Sequence, residues 1–305
     1  MELVVENVTK SFGRRKAIDS LSFNARKGEI IGLWGADGAG KSTAMKILAG
    51  ILYPDRGSVF FTNRATREPA TRAKAHIGYM AEHNPMYEKM NVVDFLLLIG
   101  TLYRVSRHRT SARIREIMPA CGLENEKYKN IGELSKGCRQ RLGIAQALVH
   151  DPEVLLLDEP TAGLDPNQGT GIRNIIRAAG KEKIVIIGSR LLTEIESTCE
   201  RVIIMHRGKI VANQTTRELQ ASTSIDLRLK VSIKGGNLEQ VKEVLRRVPG
   251  IHRIIEREGE HLELRCKRGS AIESSIFDAC QDNHWYITEL TPLPTHPEEL
   301  LHPIT

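Results

Sequence analysis

The chain has 305 residues and a formal net charge of +7, with 41% hydrophobic and 27% charged residues. This length and composition predict a globular protein of two domains with a large buried core, and they exclude an intrinsically disordered chain. The positive charge is compatible with nucleic acid or with an anionic membrane surface and does not choose between them.

Neither the cysteines nor the histidines show the spacing of a disulfide framework or a metal site. The five cysteines form no C-x-x-C pair and the ten histidines no H-x-x-x-H pair, so we expect reduced thiols in a cytosolic protein. The N-terminus lacks the basic and apolar segments of a signal peptide. The most apolar window, Phe95–Ile99, is far short of the ~20 residues that a membrane span needs. A partner must therefore hold the protein at a membrane if it acts there.

The N-terminal part predicts strands on either side of a glycine-rich loop. Residues 3–5 and 17–27 alternate apolar and polar types, and Val59–Phe61 follows a turn, which predicts an antiparallel group. Residues 29–34 are typical of a buried strand, and residues 44–50 are typical of a helix that ends at glycine.

The loop between this buried strand and this helix fits the phosphate-binding pattern G-x-x-x-x-G-K-[ST]. Its glycines let backbone N–H groups close around phosphate oxygens, and the helix N-terminus adds the positive end of its dipole. We expect Lys41 to reach the terminal phosphates and Ser42 to supply a hydroxyl to Mg²⁺. The predicted phosphate-binding residues are Gly35, Ala36, Asp37, Gly38, Ala39, Gly40, Lys41, Ser42 and Thr43.

The middle of the chain changes to a helical pattern and then to buried strands. From Asn91 to His150 apolar residues recur at spacings of three and four, which predicts helices. Three apolar runs follow, at Val154–Leu157, Ile184–Ile187 and Val202–Met205. Such runs suit strands buried on both faces of a parallel sheet, and helical stretches separate them, so the predicted core is α/β.

Two acids, Asp158 and Glu159, end the first of these runs. Asp158 would lie at the C-terminal end of its strand beside the phosphate loop, where it can hold Mg²⁺ directly or through water. Glu159 projects differently and can polarise a water aimed at the γ-phosphate. The alternative is a strand that ends in acidic turn residues before Pro160.

The last third of the chain predicts a separate small domain. Residues 220–224 are small and polar and predict a linker. After it we expect a strand, helix, strand, strand, helix and strand at 226–233, 237–247, 251–257, 261–267, 270–282 and 285–291. This β-α-β-β-α-β order is that of the ferredoxin-like fold. We therefore predict domains at 1–220 and 225–305, the second of them α+β.

The segment Leu134–Arg141, which precedes an apolar helix, resembles the L-S-G-G-Q signature of ATP-binding cassette (ABC) ATPases. Ser135 and Gly137 keep the hydroxyl and the N–H that contact phosphate, whereas Lys136 and Cys138 depart from the commonest form. In that family the signature serves the ATP bound by the other subunit. The resemblance therefore implies a head-to-tail homodimer around two ATP molecules. It also implies a P-loop cassette with a RecA-like core, an antiparallel β subdomain and a helical subdomain.

Three further positions match the family's order, two of them with unusual side chains. Phe12 resembles the aromatic residue that stacks on adenine, although it could instead be a core phenylalanine. Glu82 stands where the family usually has glutamine, and its carboxylate can still coordinate Mg²⁺. Arg190 stands where histidine is usual; it cannot shuttle a proton, but it could clamp the γ-phosphate or weaken catalysis. The resemblance makes Glu159, Arg190 and Glu82 the candidate catalytic residues, and Ser42, Asp158 and Glu82 the candidate metal ligands.

The chain is also similar to ATP-binding subunits of ABC-2-type exporters, including gliding-motility-associated and multidrug-like ones. The features that carry this resemblance are Glu82, the Leu-Ser-Lys-Gly form of the signature and the run Glu82–Pro85. This resemblance covers about residues 1–220. It implies an ATPase that uses ATP and Mg²⁺ to drive an exporter through a separate transmembrane permease. Such a subunit is cytoplasmic and peripheral on the inner face of the cell membrane, and residues 82–90 would dock the permease.

Two other classes of function stay open. Arg190 and Glu82 also suit a nucleotide-gated regulatory module that binds ATP and barely hydrolyses it. A soluble ABC ATPase acting on ribosomes or DNA usually has two cassettes in one chain or a long coiled-coil insertion, and this sequence has neither. We expect the basic stretch 104–115 to form a solvated helix face. Contact with lipid headgroups is the second interpretation. Contact with nucleic acid is the third, because interleaved aromatics are missing. No nucleic-acid partner is expected.

Overall fold

The computed structural model describes residues 1–62, 67–223, 227–257, 261–266 and 272–293. The chain divides into two units, Met1–Thr216 and Arg217–Thr305. The strands within the described residues are β1 (Glu2–Phe12), β2 (Arg15–Arg26), β3 (Ile30–Trp34), β4 (Arg56–Thr62), β5 (Arg67–Pro69), β6 (Ile77–Met80), β7 (Val154–Asp158), β8 (Ile184–Ser189), β9 (Arg201–His206), β10 (Lys209–Thr215), β11 (Leu227–Lys234), β12 (Ile251–Arg257), β13 (His261–Cys266) and β14 (Tyr286–Pro292).

The α-helices of the same residues are α1 (Lys41–Leu48), α2 (Val92–Leu102), α3 (Arg107–Ala120), α4 (Lys136–Leu148), α5 (Pro166–Gly180), α6 (Leu192–Thr198), α7 (Thr216–Thr223), α8 (Leu238–Arg247) and α9 (Ile272–Asp282). Short 3₁₀ turns lie at Lys74–His76, Glu124–Glu126 and Ile131–Glu133. Among the described residues, none of these helices has both the length and the apolar character to span a membrane.

The first unit contains an antiparallel sheet with the strand order β2-β1-β4-β5. Leu3, Val5 and Val8 of β1 are buried, because residues on one side of this strand face the core. The strand is longer than the predicted segment 3–5, since its pairing with β2 continues as far as Phe12 opposite Arg15. The predicted antiparallel group is confirmed.

The second sheet of this unit has the order β10-β9-β3-β8-β7-β6. The five strands from β9 to β6 are parallel, and β10 is antiparallel to β9. Every residue of β3, β7 and β8 is buried, as expected for strands covered on both faces. This confirms the predicted parallel sheet. The half-exposed edge strand β10 was not predicted.

The core of the first unit lies between its two sheets and around α1. Met45, Ile47 and Leu48 of this helix pack in the same buried cluster as Leu3 of β1 and Leu156 of β7. α1 ends where Gly50 adopts a φ of +65°, a conformation that favours glycine. The glycine loop, α1 and the ends of the parallel strands are therefore held on one rigid base.

Helices α2, α3 and α4 form a group within the predicted helical segment. Each begins at a side chain that accepts a backbone N–H hydrogen bond: Asn91 for α2, Ser106 for α3 and Ser135 for α4. The three helices contact one another. The helical prediction for residues 91–150 is confirmed.

The second unit has the element order β-α-β-β-α-β, from β11 to β14. Its strands form an antiparallel sheet with the order β12-β13-β11-β14. Leu229, Val231 and Leu264 of the sheet form a buried cluster with Leu245 of α8 and Ile276 of α9. The two helices therefore cover one face of the sheet.

The prediction of a linker at 220–224 is wrong for residues 220–223, because they lie in α7. Thr216 begins this helix and donates a hydrogen bond from Oγ1 to the carbonyl of Cys199 at 3.0 Å. Leu219 is fully buried. Small polar residues without glycine or proline do not stop a helix that a buried side chain anchors. Residue 224 of the predicted linker and residues 225–226, 258–260, 267–271 and 294–305 of the predicted second domain lie outside the described residues.

Candidate functional site

A cleft of about 540 Å³ opens at the carboxyl ends of the parallel strands, where α/β sheets commonly bind ligands. It brings together residues that are far apart in the sequence, including most of the predicted site. The cleft is lined by Phe12, Arg15, Ala17, Asp37, Gly38, Gly40, Lys41, Ser42, Thr43, Glu82, Glu159 and Arg190.

The phosphate loop between β3 and α1 depends on glycine at three positions. Gly38 and Gly40 have φ angles of +78° and +106°. A Cβ at Gly35 would lie 2.5 Å from the carbonyl oxygen of Met205, and one at Gly40 would lie 2.5 Å from that of Ala17. A residue with a side chain at these positions would have to displace a neighbouring strand. The loop therefore presents bare backbone to the cleft.

Lys41 places a positive charge at the base of this loop. Its side chain is only 6% exposed, and its Nζ donates hydrogen bonds to the carbonyl oxygens of Gly35 (2.8 Å) and Ala36 (3.2 Å). The same Nζ lies 4.0 Å from Oε1 of Glu159. The ammonium group is thus fixed between the loop and the acid on the opposite wall.

Ser42 and Glu82 line one part of the cleft, and Asp158 lies beside them below its surface. Asp158 is 1% exposed, and its carboxyl group is close to the Ser42 side chain. Burial raises the pKa of Asp158, and the nearby Glu82 carboxylate raises it further. Oδ1 of Asp158 has no hydrogen-bond partner among the described residues. An unpartnered buried carboxylate oxygen in such a place is a suitable ligand for a cation.

The chemistry of this donor set fits Mg²⁺, which prefers carboxylate and hydroxyl oxygens and keeps several ligands from phosphate or water. Two carboxylates and one hydroxyl are too few to enclose the ion. Consistently, no cluster of three or more His, Cys, Asp and Glu side chains that could hold a metal exists in the described part of the chain. Phosphate or water oxygens would have to complete the coordination of Mg²⁺ at this site.

Glu159 stands on the wall opposite the phosphate loop. It is 5% exposed and has a φ of +50°. Its N–H donates to the carbonyl of Gly188 at 2.8 Å, and its Oε1 accepts a hydrogen bond from the backbone N–H of Arg190 at 2.9 Å. Burial raises the pKa of Glu159 to about 7, although the charge of Lys41 opposes the shift. A carboxylate with a pKa near neutrality is suited to accept a proton.

Arg190 follows β8 and has a fixed backbone with a freer side chain. Its carbonyl oxygen accepts a hydrogen bond from the indole Nε1 of the buried Trp34 at 3.2 Å. Its guanidinium Nη1 lies 3.5 Å from Oδ2 of Asp37 in the phosphate loop. The Arg190 side chain is 48% exposed, so this ion pair spans the open side of the cleft.

Phe12 and Arg15 stand side by side at the rim. They are paired at the end of the β1–β2 hairpin. Phe12 is 55% exposed, so the alternative of a core phenylalanine is wrong. Nη2 of Arg15 donates to the carbonyl of Gly38 at 3.4 Å.

Ser135 and Gly137 do not line this cleft. Oγ of Ser135 accepts the N–H of Cys138 at 3.2 Å and caps α4. A Cβ at Gly137 would lie 3.1 Å from the side chain of Gln168, at the start of α5. The structure therefore keeps the signature-like segment apart from the phosphate loop of its own chain.

The fold and the cleft together define a P-loop ATPase cassette: a glycine loop after a central parallel strand, a lysine and serine at the start of the next helix, and an acid pair on a nearby strand. The ABC transporter family profile matches residues 18–162.

Relatives and solved structures agree with this match. The chain is 35% identical over 218 residues to the ABC transporter ATP-binding protein YhcH of Bacillus subtilis, covering 71% of this chain and 70% of that protein. It is 33% identical to the Nod factor export ATP-binding protein I of Burkholderia lata, covering 68% of each.

The chain also resembles the crystal structure of an ABC transporter ATP-binding cassette in its ADP conformation. The TM-score is 0.64 and the sequence identity 26%, and the match covers 73% of this chain and 95% of the other. The chain belongs to the ABC transporter ATP-binding proteins. Nucleotide binding and an ATPase cassette follow from that membership.

Sequence reasoning missed several residues that shape the cleft. Arg15 had a usable signal, because a two-residue turn at Gly13 places residues 12 and 15 opposite each other. Trp34 and Glu194 gave no local signal. Their contacts join segments that only the fold brings together.

Proposed function

We propose that this chain is the ATP-hydrolysing subunit of an ABC-2-type exporter and that it works as a homodimer with a separate transmembrane permease. The observation that carries the ATPase proposal is the arrangement of Lys41 and Glu159, which face each other at 4.0 Å in the cleft. One holds negative phosphate and the other can accept a proton from water. A binding module without chemistry would not need the second group there.

Different residues of the cleft are proposed to bind different parts of ATP. The backbone of residues 35–43 and the ammonium of Lys41 bind the phosphates. The exposed ring of Phe12 offers a face for the adenine base. Ser42, Asp158 and Glu82 would hold Mg²⁺, which when bound supplies positive charge to the phosphate oxygens.

Glu159 is the proposed general base, and its carboxylate is oriented by the N–H of Arg190. It would accept a proton from the water that attacks the γ-phosphate. The guanidinium of Arg190 supplies a fixed positive charge toward the developing negative charge, in place of a group that could transfer protons.

Ser135 and Gly137 are proposed to bind the ATP held by the partner copy. Their position at the start of α4, away from their own cleft, supports this role, because a helix N-terminus favours anions. Closure around two ATP molecules would move the permease, and hydrolysis would let the dimer reopen.

A mixing experiment tests this arrangement. Chains carrying Lys41→Ala and chains carrying Ser135→Arg are each expected to be inactive. If the sites are composite, mixing them restores about a quarter of the parental activity, because half of randomly formed dimers are mixed and each has one intact site. Inactivity of a mixture shown to contain mixed dimers would contradict the arrangement.

Exposed apolar residues near the helical segment support a permease partner. Tyr87, Leu102 and Tyr128 are at least 62% exposed, and residues 82–90 run beside the cleft through Glu82. The Nod factor export protein supports the export direction. The subunit is accordingly proposed to be cytoplasmic and peripheral on the inner face of the membrane, without a nucleic-acid partner.

Residues 225–305 are proposed to form a ferredoxin-like accessory domain that strengthens the dimer or regulates it. The β-α-β-β-α-β order and the sheet order β12-β13-β11-β14 support the fold. Deletion of 225–305 is expected to weaken dimerisation or change ATPase activity. Unchanged dimerisation, activity and transport would contradict both roles.

The direct test of the function is ATP hydrolysis by the purified chain with and without Glu159→Gln. The parent should release phosphate, and the variant should be slower by about 10²–10⁴-fold while it still binds ATP. Glu182→Ala, which removes an exposed carboxylate from the same unit, is the matched control and should behave as the parent. Normal turnover by the glutamine variant would remove Glu159 from the role of base.

The nucleotide-gated regulatory module is the second candidate, and the ion pair between Arg190 and Asp37 favours it. An arginine held by the phosphate loop could respond to ATP without promoting hydrolysis. Tight ATP binding with no turnover, even with the permease present, would support this candidate. Gain of activity on Arg190→His would support it further.

A further inference from the structure

Glu194 is a buried carboxylate that the proposed reaction does not use. It lies in the first turn of α6 and is only 4% exposed. Ionisable groups are rarely buried so deeply without a specific partner, because removing a charge from water is unfavourable unless the group is paired. Its contacts therefore indicate what it does.

The contacts of Glu194 lead to the segment that carries Arg190. Oε2 of Glu194 accepts a hydrogen bond from Oγ of Ser189 at 2.6 Å. Oγ of Ser189 in turn accepts the backbone N–H of Leu191 at 3.1 Å. The carboxylate thus holds the residues immediately before and after Arg190.

The same carboxylate also reaches the segment that carries Glu159. The side chain of Thr161, two residues after Glu159, lies close to the Glu194 carboxyl group. The backbone N–H of Arg190 donates to Oε1 of Glu159 at 2.9 Å. Glu194 therefore lies next to the place where the segments that follow β7 and β8 are hydrogen-bonded to each other.

A carboxylate is well suited to this position. A carboxyl oxygen is a good acceptor for a hydroxyl, and the bond from Ser189 to Glu194 is short at 2.6 Å. The hydroxyl of Ser189 is fixed by its bond to Glu194, and this leaves it oriented to receive the N–H of Leu191. The turn that aims the N–H of Arg190 at Glu159 is consequently rigid before any ligand binds.

We propose that Glu194 is a positioning residue for the ATPase reaction: it fixes the turn Ser189–Leu191 and thereby holds the carboxylate of Glu159 in its working orientation. This inference rests on the proposed function of the cleft. Glu194 does not line the cleft, so it should affect the rate of hydrolysis and leave ATP binding unchanged.

Glu194→Ala, Glu194→Gln and Ser189→Ala separate positioning from general stability. Glu194→Ala should lower kcat about tenfold or more, since misplacement of a catalytic group by 1 Å can cost ~10²-fold, with the Kd of ATP within about twofold of the parent. Glu194→Gln keeps an oxygen that can accept from Ser189 and should recover most of the rate. Ser189→Ala cuts the same bond from the other side, so the double variant with Glu194→Ala should be no slower than Glu194→Ala alone.

Glu200→Ala is the control, because it removes an exposed carboxylate just after the same helix. It should match the parent in kcat and in ATP binding. A parental kcat for folded Glu194→Ala would overturn the inference. So would a Kd for ATP that rises as far as kcat falls, because that result indicates a general structural role.

Amide hydrogen exchange tests the inference independently of hydrolysis. Exchange in the segment 188–191 should be faster in Glu194→Ala than in the parent and unchanged in Glu194→Gln. If the parent chain binds ATP but does not hydrolyse it, the proposed function fails and this measurement still decides the positioning role. Unchanged exchange in both Glu194→Ala and Ser189→Ala would refute that role. Should Glu194→Ala not fold, Ser189→Ala, which lacks only a hydroxyl, gives the same comparison.

Discussion

The two walls of the cleft are built in different ways. The phosphate wall consists of consecutive residues from Gly35 to Thr43, and it works mainly through backbone groups that glycine leaves accessible. The opposite wall consists of side chains, Glu159 and Arg190, that come from the ends of separate strands and are oriented by buried neighbours. The local sequence specifies the wall that is made of backbone groups. The side chains of the opposite wall are oriented by residues elsewhere in the unit.

The two walls should also differ in their effect on stability. The Glu159 pKa is raised from 4.5 to about 7 by burial, so the folded chain holds this proton more tightly than the unfolded chain. Stability from this group is therefore greatest below pH 4.5 and is lost as the pH rises to 7. Glu159→Gln should remove this loss and stabilise the ATP-free chain by up to about 3 kcal/mol at pH 8. Thermal unfolding at pH 5 and pH 8 measures it; an equal effect at both pH values would contradict the burial argument.

Within the phosphate wall, ATP affinity should depend most on the side chain of Lys41, which carries the positive charge at the base of the loop. Lys41→Ala removes the ammonium that donates to the carbonyls of Gly35 and Ala36. Loss of charge-assisted contacts worth ~1.5–3 kcal/mol should weaken ATP binding about 10- to 100-fold. Calorimetry with ATP measures this change. Arg113→Ala removes a cation that does not line the cleft and should bind ATP as the parent does. Equal affinity in the Lys41 variant would mean that the backbone alone holds the phosphates.

The backbone itself can be tested at Gly40. Its φ is +106°, and a Cβ at this position would lie 2.5 Å from the carbonyl oxygen of Ala17, so Gly40→Ala should strain the loop by ~1–3 kcal/mol. The melting temperature and the ATP affinity should both fall. Gly169→Ala in α5 is the matched control, since only the flexible end of Arg173 is near, and it should be neutral or slightly stabilising. Similar melting temperatures for the two variants would show that the loop tolerates a side chain.

The smallest effect is expected where the two walls meet, at Asp37 and Arg190. Their side chains are 79% and 48% exposed, and exposed ion pairs contribute only ~0–1 kcal/mol. Asp37→Asn should therefore change the melting temperature by less than Gly40→Ala does. The difference in melting temperature between Asp37→Asn and the parent should vanish at high salt. A large, salt-independent destabilisation would show that this pair, and not the backbone, shapes the open side of the cleft.

The sequence by itself determined the phosphate loop, the parallel strands and the helical segment, because each depends on the spacing of neighbouring residues. A glycine pattern, a run of apolar residues and a period near 3.6 are visible without any partner. The acid pair at Asp158 and Glu159 was predictable from the sequence for the same reason. It ends an apolar run that is recognisable as a buried strand.

Only the tertiary structure decided which distant side chains share the cleft and which do not. It placed Phe12, Glu82 and Arg190 on its walls, kept Ser135 and Gly137 away from them, and made a helix of residues 220–223 where composition predicted a linker. It also joined the indole of Trp34 to the backbone carbonyl of Arg190. Burial and hydrogen bonding between segments far apart in the chain set these relations, and such contacts leave no mark on the spacing of adjacent residues.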